Sequence, residues 1–143
     1  MIVLDTDHVS ELQHPNSVRG TRLSGRLGLV PEDQVATAVI TAEEQMRGWL
    51  AAIHKQPAGF KQVDAYANLV GLIQFYRKWV VVPFDQLVAE QFHLLKAQKV
   101  RISTPDLKIA ATVLRHGATL LSANLRDFRQ VPGLSVEDWL SKE

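Results

Sequence analysis

The sequence contains no cysteine. That absence excludes disulfide scaffolds, thiolate zinc sites, iron–sulfur clusters and cysteine nucleophiles. It is compatible with a reducing cytoplasm, the expected location. Neither sign of charge dominates: 16 Lys and Arg stand against 15 Asp and Glu, a formal net charge of +1. Whole-molecule charge therefore does not announce a nucleic-acid binder. Long apolar runs are missing as well. The charge-free stretch from Ala65 to Tyr76 is too short to span a bilayer and carries Asn68 and Gln74. No basic region precedes the apolar start at Met1, so neither a signal peptide nor a membrane partner is expected. The glycine patterns of P-loops and dinucleotide sites and the Gly-x-Ser-x-Gly elbow are all absent, which leaves those chemistries without support.

What is present is a globular composition, 46% hydrophobic and 22% charged over 143 residues, enough for one domain spanning 1–143. Short apolar runs alternate with helical patterns. Ile2 to Leu4, Val35 to Ile40, Val80 to Val82 and Ala118 to Leu121 read as buried parallel strands, with a weaker fifth at Leu134 to Val136. Helical spacing recurs through Ala42, Met46, Trp49, Leu50 and Ile53, and again through Phe60, Val63, Ala67, Val70 and Ile73. Asp85 caps a helix carrying Val88, Phe92 and Leu95. Thr104 and Pro105 read as N-cap and first position of another, which Gly117 closes. This alternation predicts a parallel sheet of four to five strands with helices on both faces, an α/β/α sandwich. Ligands of such sheets sit outside the carboxyl ends of the strands.

The acids fall where that rule places ligands. Asp5 ends the first strand and Asp7 lies two residues on. Glu44 follows the second strand, Asp106 lies in the first turn after Pro105, and Asn124 and Asp127 follow the fourth strand. Each has a structural reading too, since acids favour first helical turns. Thr41-Ala42-Glu43-Glu44 is a capping box by sequence. Asp5 is the hardest to explain that way, because a carboxylate at a buried strand end needs a partner to stay charged. If the acids converge, carboxylates about 5 Å apart repel by roughly 3 kcal/mol at an effective dielectric near 20. All-oxygen ligands then favour Mg²⁺ or Mn²⁺ over zinc.

These residues resemble the PIN-domain family, and within it the VapC-type ribonuclease toxins of bacterial toxin–antitoxin systems. The resemblance runs through Met1-Ile-Val-Leu-Asp-Thr-Asp-His-Val-Ser10, Ile40-Thr-Ala-Glu-Glu-Gln-Met-Arg-Gly48, Asp106-Leu-Lys-Ile-Ala-Ala111 and Leu120-Leu-Ser-Ala-Asn-Leu-Arg-Asp-Phe128, then Val131-Pro-Gly-Leu134 and Trp139. It implies a PIN-like α/β/α fold and a metal-dependent endoribonuclease. It also implies an RNA substrate, a cognate antitoxin that covers the acidic pocket, and a homodimer. The family's metal acids match Asp5, Glu44 and Asp106, the spacing to Gly48 choosing Glu44 over Glu43. The fourth acid's place holds Asn124 here, with Asp127 three residues on as the other candidate. Ser122 stands where the family has Thr or Ser, and Asp7 where many members have Asn, to orient Asp5 or a water; both are also candidates to touch substrate.

Other residues carry weaker expectations. Arg19, Arg22 and Arg26 share one helical face after Ser17 and are placed to hold RNA phosphates or an acidic antitoxin surface, or to form a solvated face. His8, between the acid motif and the first helix, is expected to touch substrate. Leu4-Asp-Thr-Asp-His-Val9 also imitates the start of haloacid-dehalogenase-type phosphatases, in which the first Asp, here Asp5, is the nucleophile. A non-catalytic PIN-like module that binds RNA or a protein is the third reading, kept open by Asn124.

Overall fold

In the computed structural model, which describes residues 1–14 and 16–141, five strands form one all-parallel sheet. They are β1 (Ile2–Leu4), β2 (Val35–Ala38), β3 (Val80–Val82), β4 (Thr119–Leu121) and β5 (Ser135–Glu137), in the order β3-β2-β1-β4-β5. The helices between them are α1 (Thr6–Leu12), α2 (Val18–Leu27), α3 (Val39–His54), α4 (Val63–Tyr76), α5 (Gln86–Ala97), α6 (Thr104–Arg115) and α7 (Leu125–Phe128). Among the described residues no helix is long and apolar enough to cross a membrane.

Strand alternation assigns the two faces of the sheet. Val3 and Leu120 pack with Val88, Phe92 and Leu95 of α5 and Ile109 and Val113 of α6. Leu4 and Leu121 point the other way, into Val9, Leu27, Phe75 and Trp79. Each such Leu or Val contributes roughly 1.5–3 kcal/mol by leaving water. The result is the three-layer α/β/α sandwich that the strand–helix alternation predicts.

The chain runs outward from β1 through β2 to β3, then returns to place β4 on the other side of β1. The order reverses between β1 and β4. A crevice opens at such a switch point, outside the carboxyl ends of the two strands. The Asp5 N–H donates to the Leu121 carbonyl at 2.9 Å, continuing the ladder one residue past both strands. Asp5 and Ser122 are therefore neighbours at the mouth of that crevice.

Several boundaries differ from the sequence reading. The second strand ends at Ala38, not Ile40, because Val39 and Ile40 already belong to the first turn of α3. The capping box expected at Thr41 consequently does not form. Thr41 lies inside the helix, buried, with no partner for its hydroxyl. The N-cap of α6 is Ser103 rather than Thr104; its hydroxyl accepts the Asp106 N–H at 3.3 Å. The fifth strand is shifted by one residue. Two caps stand as predicted. Asp85 accepts the Val88 N–H at 3.0 Å, and Gly117 ends α6 at a φ of 58°, which costs a glycine little.

The periodicity through Val63, Ala67, Val70 and Ile73 marks a real helix, α4, but not a buried face, and Phe60 lies in a 3-10 turn before it. Phe60 is 99% exposed and Val63, Tyr66, Val70 and Ile73 are more than half exposed, while Ala65 and Leu72 face inward.

Candidate active site

Asp5 does two structural tasks at once. It follows β1 without an intervening loop, and it caps α1, with Oδ1 accepting the Thr6 N–H at 2.8 Å. Its other oxygen accepts the Ser122 hydroxyl at 2.7 Å. Both bonds favour the ionised form. Burial works against it, since the residue is only 7% exposed, and so do the nearby charges of Asp7 and Asp106. The balance goes to burial and repulsion, and the Asp5 carboxyl is pushed up to about 6. Relative to a solvated carboxylate, that is a cost of about 3 kcal/mol for carrying charge.

The other acids share this environment. Asp106, in the first turn of α6, is raised first by burial and then by Asp127 and Asp7, against the Ser103 hydrogen bond. Glu44, on the second turn of α3, is raised by burial, then by Asp106 and Glu43, with Arg47 opposing. Its neighbour Glu43 turns outward and pairs with Arg47 one turn on. The structure thus separates the two glutamates: Glu43 has its own cation, and Glu44 faces the acids. Asp5, Asp7, Glu44, Asp106 and Asp127 form one electrostatic cluster at the carboxyl ends of β1, β2 and β4.

Asn124 and Asp127 are joined. The Asn124 amide donates to Asp127 Oδ2 at 3.1 Å, so the amide holds the acid that raises Asp106. Ser122 is fully buried. It donates to Asp5 and accepts the Asn124 N–H at 3.0 Å, so it orients the acids and does not reach substrate. Asp7 accepts the Ala123 N–H at 2.9 Å through Oδ2 and meets His8 Nδ1 at 2.6 Å through Oδ1. The expectation that His8 touches substrate is not met, because its side chain is 0% exposed and both ring nitrogens have partners within the chain.

The three arginines do lie on one helix, α2, opened by Ser17, which accepts the Gly20 N–H at 2.8 Å. Each meets a partner within the chain, while Arg19 and Arg26 remain exposed. Arg19 lies 3.7 Å from Glu11, Arg22 donates to the Leu140 carbonyl at 3.4 Å, and the Arg26 guanidinium sits 4.1 Å above the Trp139 ring. Sequence reasoning missed Tyr76. Its hydroxyl donates to Gln45, and Gln45 bonds Gln13 at 3.1 Å, tying α4, α3 and α1 together behind Glu44. Burial and the Glu44 charge keep that phenol protonated. No short motif signals such a residue; only the packing of α4 reveals it.

Among the described residues, no three His, Cys, Asp or Glu side chains form a ready-made metal cage. The donor set still fits one kind of ion. Every candidate ligand is oxygen, the carboxylates repel one another, and the buried hydroxyls of Thr6 and Thr41 have no partner. Thr6 adjoins Asp5, and Thr41 lies one helical turn before Glu44. Magnesium takes one or two direct carboxylates and keeps its waters, so it needs no closed cage and suits unsatisfied hydroxyls nearby. Zinc prefers sites with nitrogen or sulfur ligands, so an all-oxygen set favours magnesium over it.

A family model described as PIN domain matches residues 2–134. Ribonuclease VapC1 of Rickettsia felis is 43% identical over 49 residues, which are 34% of this chain and 37% of that protein. The tRNA(fMet)-specific endonuclease VapC of Salmonella typhimurium is 30% identical over 83 residues, 55% of this chain and 63% of that protein. The matched stretches thus span less than two thirds of either relative. Among solved structures, a toxin-antitoxin complex from Klebsiella pneumoniae aligns over 97% of this chain and 98% of its own, with a TM-score of 0.63 and 22% identity. At that identity the likeness speaks for the fold alone.

Proposed function

The chain belongs to the PIN-domain family, and from that premise we propose that it is a Mg²⁺-dependent endoribonuclease, the toxin of a bacterial toxin–antitoxin pair. The observation that carries the reading is the acid cluster at the switch point. Asp5 stays strained toward protonation although two hydrogen bonds favour its charge. Asp5, Glu44 and Asp106 would hold a cation that offsets this repulsion, Mg²⁺ or alternatively Mn²⁺. When bound, such an ion lowers the pKa of a coordinated water and stabilises the departing oxygen of a phosphodiester.

The chain's own residues prepare the site. Thr6 and Ser122 each fix one oxygen of Asp5. Ser103 caps α6 and holds Asp106 in its first turn. Asn124 restrains Asp127 beside Asp106, where the acid can orient a water or join the ligand set. The phosphatase alternative fits less well. The family model that matches residues 2–134 is that of the PIN domain.

The RNA substrate rests on the names of the curated relatives. The antitoxin rests on the family resemblance and on the complex from Klebsiella pneumoniae. It has a physical counterpart in the exposed apolar stripe of α4, Val63, Tyr66, Val70 and Ile73, which suits an apolar protein segment. A homodimer acting in the cytoplasm completes the reading.

The test is RNA cleavage by protein purified from a nuclease-deficient host. Asp5→Asn and Asp106→Asn, with circular dichroism unchanged, are expected to reduce cleavage at least a hundredfold. EDTA abolishes it, and Mg²⁺ or Mn²⁺ restores it. Cleavage that survives both substitution and chelation overturns the assignment, and a fully inert wild type favours the non-catalytic module.

A further inference from the structure

His8 connects the acid cluster to the far end of the chain. The Trp139 N–H donates to its Nε2 at 3.1 Å. Nε2 is therefore the acceptor, and the ring proton sits on Nδ1, which donates to Asp7 Oδ1 at 2.6 Å. Asp138 does not compete for the ring: its Oδ1 lies 3.8 Å from Nε2 and accepts the Leu140 N–H at 2.8 Å. The segment these residues form is fastened from outside by Arg22 on the Leu140 carbonyl and by Arg26 on the Trp139 ring.

Asp7 in turn is gripped from two sides. His8 holds one oxygen and the Ala123 N–H holds the other. So held, the carboxylate stays close enough to Asp5 and Asp106 to act on both charges. A buried imidazole with one donor and one acceptor engaged transmits position in both directions, since neither partner can move without leaving a ring nitrogen unpaired.

We propose that His8 is a positioning residue that couples docking of the C-terminal segment 138–140 to the setting of Asp7 at the metal site. The inference rests on the nuclease reading above. It assigns His8 no contact with RNA or metal, and it makes the C-terminal segment part of the active site's support. Ligand-orienting partners of this kind typically change metal affinity or activity by about ten- to a hundredfold.

Two amides separate the two bonds. Asparagine places an N–H near the position of Nδ1, and glutamine places a carbonyl near that of Nε2. His8→Asn keeps the bond to Asp7 and loses the one to Trp139; His8→Gln does the opposite. Three readouts are needed: Mn²⁺ affinity by electron paramagnetic resonance, kcat and KM on one RNA oligonucleotide that the wild type cleaves, and melting temperature in EDTA. His8→Gln is expected to melt close to wild type, with Mn²⁺ affinity and kcat lowered about tenfold or more and KM little changed. His8→Asn is expected to melt lower and also to lose Mn²⁺ affinity and kcat, by about threefold or more, because Asp7 is then held by a group no longer anchored at Trp139. If His8→Asn does not fold, His8→Gln decides alone. Wild-type Mn²⁺ affinity and kcat in either variant, or losses in both that simply follow melting temperature, overturn the proposal. A wild type that neither binds Mn²⁺ nor cuts RNA overturns the nuclease reading, and this inference with it.

Discussion

Ser122 donates its hydroxyl to Asp5 Oδ2 at 2.7 Å, across 117 residues of chain, and so ties the carboxyl end of β4 to that of β1. The bond opposes the burial and repulsion that push the Asp5 carboxyl up. Ser122→Ala is therefore expected to raise the Asp5 pKa further. At pH 7.5, where Asp5 is charged, the loss of a charge-assisted bond should cost about 1.5–3 kcal/mol. At pH 5, where the carboxyl is largely protonated, the bond is neutral and the cost falls to about 1 kcal/mol. Urea unfolding at the two pH values checks this. An equal loss at both would mean that Ser122 serves only the Asn124 N–H.

The Asn124–Asp127 pair makes a prediction about coupling. If the amide acts by holding Asp127, Asp127→Ala should slow cleavage by about tenfold or more, and Asn124→Ala by less. The double variant should then be no slower than Asp127→Ala alone, because the second change removes what the first depends on. Additive losses would give Asn124 an independent place in the ligand set.

The residues that announced the site are those whose chemistry is local. Asp5, Glu44 and Asp106 could be placed because strand ends and helix starts were legible from apolar runs, Pro105 and Gly117, and parallel sheets gather ligands at one edge. His8 was misplaced because its partner, Trp139, lies 131 residues away, and no periodicity connects them. The arginines were legible as a helical face, but what that face meets depends on where the C-terminal segment returns. The same limit explains α4, whose apolar spacing looks the same whether the stripe faces a core or a partner. It explains Thr41 as well. Its capping-box pattern was overridden when Val39 and Ile40 were drawn into the first turn of α3.

The α4 stripe can be tested without touching the acids. Val70 and Ile73 are more than half exposed, so Val70→Asp with Ile73→Asp should change stability by no more than about 0.5 kcal/mol each. RNA cleavage should be unaffected. Growth arrest caused by the variant should no longer be relieved by co-expressed antitoxin, because each aspartate buries a charge in an apolar contact. Full neutralisation of the variant would move the antitoxin to another face.

Asp5 links the acid cluster to stability in a direction opposite to that of an ordinary salt-bridged aspartate. Its folded pKa of about 6 lies above the ordinary 3.8, so between those values the folded chain binds a proton that the unfolded chain has lost. The group's favourable contribution is complete below the unfolded pKa and is lost as pH rises through the folded one. Metal-free stability should therefore fall by about 2 kcal/mol between pH 4.5 and pH 7.5, and Glu44 and Asp106, also raised, add to the same slope. Asp5→Asn cannot titrate, so its profile should be flatter by that amount, and at pH 7.5 in EDTA it should be at least as stable as wild type. Magnesium reverses the ranking. Wild type should gain about 2.7 kcal/mol at 100 times the dissociation constant, and Asp5→Asn distinctly less. Thermal melts of both proteins at pH 4.5 and 7.5, with EDTA and with Mg²⁺, measure all of these differences. If Asp5→Asn is clearly destabilised in EDTA at pH 7.5 and wild type shows no Mg²⁺ shift, Asp5 is a helix cap satisfied by Thr6 and Ser122, and the metal site fails with it.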